Sequence, residues 1–233
     1  MIPSLQLPLH FQHRPSLSGD DFIVAPCNSE AIQWIDRWPK WPDPIVALTG
    51  PRGCGKSHLV NVFSNIAKPY PIVINKLEYA LRRAMKVQTA FVIDNAEEKL
   101  CMEGEELFLH FINVLKESGG HLLIASSNPP GRWKLTLPDL ASRLRAVQVV
   151  SIGMPDDRLV AALLVKLFSD RQLRIDLDVI KYLLPRIDRS FEGIQKQVSI
   201  LDSTALHFQR KITVPFVRQI LDKKQKNVDD QKS

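Results

Sequence analysis

Residues 50–57 read G-P-R-G-C-G-K-S and match the phosphate-loop pattern G-x-x-x-x-G-K-[ST] at every fixed position. A loop of this kind works only between a buried strand and a helix, and the flanking sequence supplies both. Ile45-Val46-Ala47-Leu48-Thr49 before it is a short apolar run suited to a parallel strand covered on both faces. After it, Leu59, Val62, Phe63 and Ile66 recur at helical spacing between Ser57 and Ala67. Gly50, Gly53 and Gly55 let the backbone curl so that successive N–H groups face phosphate oxygens. Lys56 brings a point charge to the β- and γ-phosphates, and the Ser57 hydroxyl is a Mg²⁺ ligand. Pro51, Arg52, Cys54 and His58 fall in the same segment and complete the predicted binding site for ADP or ATP with Mg²⁺.

The chain of 233 residues, 45% hydrophobic and 24% charged, is long enough for a full core plus a smaller lobe. No apolar run approaches the ~20 residues needed to cross a bilayer. The start, M-I-P-S-L-Q-L-P-L-H, lacks the basic and apolar regions of a secretory signal. Cys27, Cys54 and Cys101 are scattered without C-x-x-C spacing, which argues against a disulfide framework or zinc site. A cytoplasmic protein without membrane contact is expected. The net charge of +6 permits nucleic-acid contact without requiring it, since a phosphate pocket also needs cations.

The strand and helix signals give an α/β fold, a parallel sheet flanked by helices, followed by a small all-helical domain. Residues 1–20, with three prolines and no helical period, form an extended arm. A core over 21–153 begins with a helix near Ser29 capped by Asn28. Further core strands are predicted at Pro71–Asn75, Thr89–Ile93, His121–Ser126 and Val147–Ile152, with helices at Leu77–Met85 and Glu105–Glu117. After Pro155 only helices are predicted, over Asp156–Phe168, Leu177–Leu184, Glu192–Phe208 and Pro215–Leu221. These make a lid over 154–222, and 223–233 is a polar tail.

Asp94 closes an apolar strand, where a carboxylate can hold Mg²⁺. Asn95 follows at the position where many ATPases carry a glutamate that polarises water, and an amide cannot act as a general base. Hydrolysis by this chain alone should be slow or absent. Glu97 and Glu98 are expected to point away from the site. Asn128, in S-S-N-P-P after the fourth strand, is either a sensor of the γ-phosphate or the start of a Pro-Pro turn.

S-S-N-P-P, then L-P-D-L-A-S-R-L-R (137–145) and D-R-S-F-E-G-I (188–194), resemble the sensor 1, arginine-finger and sensor 2 segments of the AAA+ superfamily, in its DnaA-containing initiator clade. I-D-N (93–95), L-P-D-L-A-S-R-L and the closing I-T-V-P-F-V-R-Q-I-L (212–221) are most similar to the Hda family of DnaA-related regulators. The resemblance runs from Gln6 to Leu221. It implies that Asn128 is sensor 1, that Arg189 is the sensor 2 arginine, and that Arg143 is an arginine finger offered in trans to a neighbouring subunit's nucleotide. The arm segment Gln6-Leu7-Pro8-Leu9-His10-Phe11 looks like the Q-L-x-L-x-F motif that docks on the bacterial sliding clamp, the β subunit of DNA polymerase III. An extended strand would seat Leu9 and Phe11 in an apolar groove while Leu7 and the Gln6 amide hold its mouth. About a dozen polar residues follow Leu221, where DnaA continues into a helix-turn-helix, so sequence-specific DNA binding is not expected.

Two functions from different classes follow. One is a clamp-tethered regulator of replication initiation that binds DnaA and stimulates hydrolysis of its ATP, with weak or no ATPase of its own and a possible homo-oligomer. The other is a DNA-handling ATPase of the same clade, such as a helicase loader or transposition helper. The clamp-like arm and Asn95 favour the first.

Overall fold

The computed structural model describes residues 13–14, 22–85, 89–100 and 104–229. The clamp-like segment 6–11 and Cys101 lie outside them. The chain divides into two compact units, one ending at Gly153 and the other beginning at Met154.

The first unit is built on a parallel sheet. Its strands are β3 (Ile45–Thr49), β4 (Tyr70–Pro71), β5 (Ala90–Ile93), β6 (His121–Ser126) and β7 (Gln148–Ser151), preceded in the chain by a two-residue antiparallel pair, β1 (His13–Arg14) with β2 (Phe22–Ile23). The sheet order is β4-β5-β6-β3-β7, all parallel, with Ile45 opposite Leu122 and Val46 opposite Gln148. All five residues of β3 are buried, as its continuous apolar run requires of a central parallel strand. The second core strand is shorter than the sequence suggests. β4 spans only Tyr70–Pro71; Ile72 N–H still donates to the Val92 carbonyl (2.7 Å) before Ile74–Lys76 turns as a 3-10 helix.

Helices cover both faces. On one side α3 (Leu77–Ala84), α5 (Glu105–Glu117) and α6 (Pro138–Arg145) share a core with the alternate strand residues Ile45, Ala47, Phe91, Ile93, Leu122 and Ile124. Phe91 and Phe111 meet edge-on at 5.0 Å in this layer. On the other side lie α1 (Ser29–Arg37), against β7, and α2 (Lys56–Ala67), against β5 and β6. Of the apolar residues at helical spacing in α2, Leu59 and Phe63 are buried, together with Val60, while Ile66 is 40% exposed. A short helix α4 (Ala96–Leu100) follows β5. Asn28 precedes α1 but makes no side-chain cap. Its amide donates to the Ile23 carbonyl (2.9 Å) and accepts from Ala25 N–H (2.8 Å), stapling the turn that leads in from β2. Burial explains the difference: Asn28 is 3% exposed, so its amide must satisfy both of its polar ends locally.

The second unit is entirely helical among the described residues: α7 (Asp157–Asp170), α8 (Leu177–Leu183), α9 (Phe191–Phe208) and α10 (Val214–Asp229). Its own core includes Leu164, Phe168, Leu183, Ile194, Val198, Leu201 and Val217. Asp156 caps α7 by accepting from Leu159 N–H (2.8 Å), and Ser190 caps α9 by accepting from Gly193 N–H (2.9 Å). Asp188 Oδ1 accepts from Ser190 N–H (2.9 Å). This turn explains the glycine in D-R-S-F-E-G. A Cβ on Gly193 would lie 2.5 Å from the Asp188 carboxyl carbon. Gly193→Ala should therefore destabilise the chain by about 1–3 kcal/mol, although alanine is the better helix former. The Asp188 Cβ would itself lie 2.7 Å away, so it is in an Asp188→Gly background that the same change should become neutral or stabilising. Urea melts of the single and double variants measure this, and an equal loss in both backgrounds would refute the steric account.

Candidate functional site

The parallel sheet brings the loops that follow β3, β5 and β6 to one edge, and these loops carry the chemistry. The phosphate loop turns on two glycines that no other residue could replace. A Cβ on Gly50 would meet the Ile152 carbonyl oxygen and the Cys54 sulfur, both at 2.9 Å. Gly55, at φ +95°, opens α2, and a Cβ there would lie 2.6 Å from the Phe22 ring. Phe22 in turn stacks on His58 at 4.8 Å, so the strand β2 is packed against the exit of the loop.

Lys56 is buried, and its ammonium donates to the carbonyls of Gly50 (2.7 Å) and Pro51 (2.9 Å). The loop's own backbone thus holds the cation within the cleft. Cys54 Sγ lies 3.9 Å from that ammonium. Burial pushes the Cys54 thiol up, and the Lys56 charge only partly offsets it, so the sulfur stays protonated at neutral pH. Ser57 Oγ donates to Asp94 Oδ2 at 2.9 Å, which joins two of the predicted Mg²⁺ ligands from different elements. Asp94 Oδ1 accepts from Asn95 N–H (2.9 Å), and the Asp94 carbonyl accepts from Lys99 Nζ (2.6 Å). The cleft encloses about 480 Å³, with Gly53, Gly55, Lys56 and Ser57 from the loop, and Arg52, Asn95, Glu98 and Ser127 also lining it.

Two acidic residues depart from the sequence expectation. Glu98 lines the cleft and pairs with Arg52 at 3.2 Å. Both side chains are largely exposed, so the pair adds little stability. Glu97 binds Asn128: its carboxylate accepts from Asn128 Nδ2 at 3.0 and 3.1 Å and from Asn128 N–H at 3.2 Å. The Asn128 carbonyl is fixed as well, accepting from Ser126 Oγ (2.7 Å) and Trp133 Nε1 (2.9 Å). Helical geometry is the reason. α4 starts two residues after Asp94, so positions 97 and 98 are carried back over the site by one helical turn.

Arg143 is exposed in the last turn of α6, and among the described residues its guanidinium makes no ion pair. Leu140 and Leu144 of the same helix are buried, and Arg143 flanks their face. Arg189 belongs to the helical unit, where it pairs with Asp157 at 3.1 Å.

The positions therefore fall into three groups. Residues 50–58, Asp94 and Asn128 gather at the sheet edge, Arg143 stands on α6, and Arg189 lies in the second unit. Asn95 adds a local constraint. Its φ is +54°, a left-handed conformation that asparagine tolerates and glutamate does not favour. Asn95→Glu should thus cost about 1–2 kcal/mol of stability, and Asn95→Gly close to nothing. Guanidinium titration of both variants tests this, and equal stabilities would contradict it.

Comparison with known proteins gives a family match in the second unit and likenesses of fold over most of the chain. Residues 156–221 match the family described as "Hda, lid domain". An uncharacterized protein of Haemophilus influenzae is 27% identical over 195 residues, spanning 77% of this chain and 82% of that protein. The fold is similar to domain III of the Thermotoga maritima replication initiation protein DnaA, with TM-score 0.68 and 19% identity over 87% of this chain and 94% of that one. It is also similar to AMPPCP-bound DnaA from Aquifex aeolicus, with TM-score 0.62 and 20% identity over 80% of this chain and 64% of that one. The Thermotoga maritima RuvB Holliday junction branch migration motor shares the fold at TM-score 0.65 and 14% identity, over 90% and 72% of the two chains.

Proposed function

We propose that this chain, whose residues 156–221 match the Hda lid family and whose fold is similar to that of DnaA domain III, is a DnaA-related regulator of replication initiation. In this reading it binds an adenine nucleotide, docks on the sliding clamp through its arm and stimulates hydrolysis of DnaA-bound ATP through Arg143. The observation that carries it is an Hda-type lid, residues 156–221, following a phosphate-loop core. The AMPPCP in the Aquifex DnaA structure supports adenine nucleotide as the ligand class.

Within the chain the roles divide by position. The loop 50–58 cradles the phosphates, with Lys56 as its fixed charge. Ser57 and Asp94 offer hard oxygens, joined at 2.9 Å, that suit Mg²⁺. That ion, when bound, would neutralise phosphate charge. Asn128 acts as sensor 1 and Arg189 as sensor 2. The nucleotide here is a conformational ligand, because Asn95 carries no base.

Lys56→Ala should weaken ADP binding by about 2–4 kcal/mol, the cost of losing a charge-assisted contact and the two carbonyl bonds that order the loop. Titration calorimetry measures it, and unchanged affinity would exclude the pocket.

The central test uses ATP-loaded DnaA, DNA-loaded clamp and this protein. Trans-acting arginines contribute on the order of 10³–10⁵ in rate in well-studied GTPases. Arg143→Ala should abolish the stimulated hydrolysis while leaving folding, nucleotide binding and clamp binding intact. Arg143→Lys should rescue little, because an ammonium lacks the planar fork. The arm variant Leu9→Ala with Phe11→Ala should lose clamp binding without a change in melting temperature. Stimulation that survives Arg143→Ala would overturn the finger assignment. DNA-stimulated hydrolysis by this chain alone, dependent on Asp94, would favour the DNA-handling ATPase instead.

A further inference from the structure

Arg143 stands on a helix of only eight residues, two turns long, and a helix that short has no fixed direction without tertiary anchors. Its rotation about its own axis is set by Leu140 and Leu144, both fully buried. Something else must fix its position along that axis. The residue before α6 is Leu137, which has no side-chain acceptor with which to cap it, and Pro138 has no N–H. The two residues that lead into the helix are held instead from 31 residues upstream. The Glu105 carboxylate takes the Thr136 N–H at 2.9 and 3.0 Å and the Leu137 N–H at 2.7 Å. Glu105 opens α5, whose residues Phe108, Phe111, Ile112 and Leu115 are core, and it follows Gly104 at φ +89°. The carboxylate therefore projects from a helix embedded in the core onto the start of α6. The Thr136 N–H, foremost, draws the Glu105 carboxyl below its ordinary range, so it is ionised at neutral pH and complements the helix dipole.

We infer that Glu105 is a positioning residue for Arg143: its carboxylate fixes where along its axis α6 sits, and so where the guanidinium meets a partner's nucleotide. The inference rests on the finger assignment made above. The burial of Leu140 and Leu144 holds α6 on the core whether or not Glu105 is charged. Loss of the carboxylate should therefore act on geometry more than on folding, and an error near 1 Å in a catalytic group can cost on the order of a hundredfold in rate.

The experiment titrates the full chain into ATP-loaded DnaA with DNA-loaded clamp and separates the maximal rate from the half-saturating concentration. Glu105→Gln keeps one acceptor oxygen and loses the charge. It should lower the maximal rate roughly tenfold, as expected for one charge-assisted bond, with the half-saturating concentration within about twofold of wild type. Glu105→Asp keeps the charge on a shorter stem and should fall between the two. Glu105→Gln combined with Arg143→Ala should be no slower than Arg143→Ala alone, because the two residues act through one group. A wild-type maximal rate for Glu105→Gln, where Arg143→Ala abolishes stimulation, overturns the positioning role and leaves the finger standing. A shift only in half-saturation makes Glu105 a docking residue and also overturns it. If Arg143→Ala itself keeps the wild-type rate, the finger assignment fails and this inference fails with it. Should Glu105→Gln melt below the assay temperature, Glu105→Asp carries the test, and a wild-type maximal rate there has the same negative meaning.

Discussion

The parallel pairing of β3 between β6 and β7 is the constraint from which the site follows. A parallel sheet sends every strand out at the same edge, so the loops after β3, β5 and β6 must meet there. Gly50 leaves β3 pressed against the Ile152 carbonyl beyond β7, Asp94 leaves β5, and Ser127 with Asn128 leaves β6. The contact of Ser57 with Asp94 is a product of this register, since the two residues are separated by 37 positions in the chain. The burial of all five residues of β3 makes that register costly to change: a slip would move Ile45 and Ala47 off the α3–α5–α6 core.

A second layer of organisation comes from carboxylates that engage backbone and amide donors. Glu97 holds Asn128 through its backbone and side chain, and Glu105 holds Thr136 and Leu137. Both follow Asp94 in the chain, and both grip the same stretch, the one that runs from the end of β6 to α6. Trp133 pins the middle of that stretch by donating to the Asn128 carbonyl while its ring joins the core. The path from the nucleotide loop to the Arg143 helix is thus tied down at its start, middle and end by polar contacts. Irregular backbone needs such ties, because it has no ladder of its own to satisfy its donors.

Local patterns in the sequence revealed the frame. β3, the phosphate loop and α2 are contiguous, and their signals are glycine positions and an apolar run, so they could be read directly; the bounds of α5 and β6 followed equally well from periodicity and a closing Ser-Gly-Gly. What could not be read depended on tertiary environment. Asn28 looks like a cap by position, yet its burial forces the amide to serve the turn instead. The Asn128 amide proved to be held by Glu97, a contact across 31 positions that no local pattern encodes. The signal available for it was the helical spacing that folds 97 and 98 back over Asp94. Glu105 carried no local sign either, since its partners are backbone N–H groups, which have no signature in sequence.

These features bear on what the nucleotide does. The residue after Asp94 is an amide held at φ +54°, a conformation for which asparagine is suited and in which a glutamate would be strained. The missing base at that position therefore has a conformational cause as well as a chemical one. Of the two α4 carboxylates, Glu97 accepts from both the backbone and the side chain of Asn128, and Glu98, which lines the cleft, is paired with Arg52. Both carboxylates are thus engaged by donors of the protein itself. In the proposed reading this pocket holds a nucleotide without turning it over. It fits the division of labour proposed above, in which this chain's nucleotide orders its own loops while hydrolysis takes place on a partner.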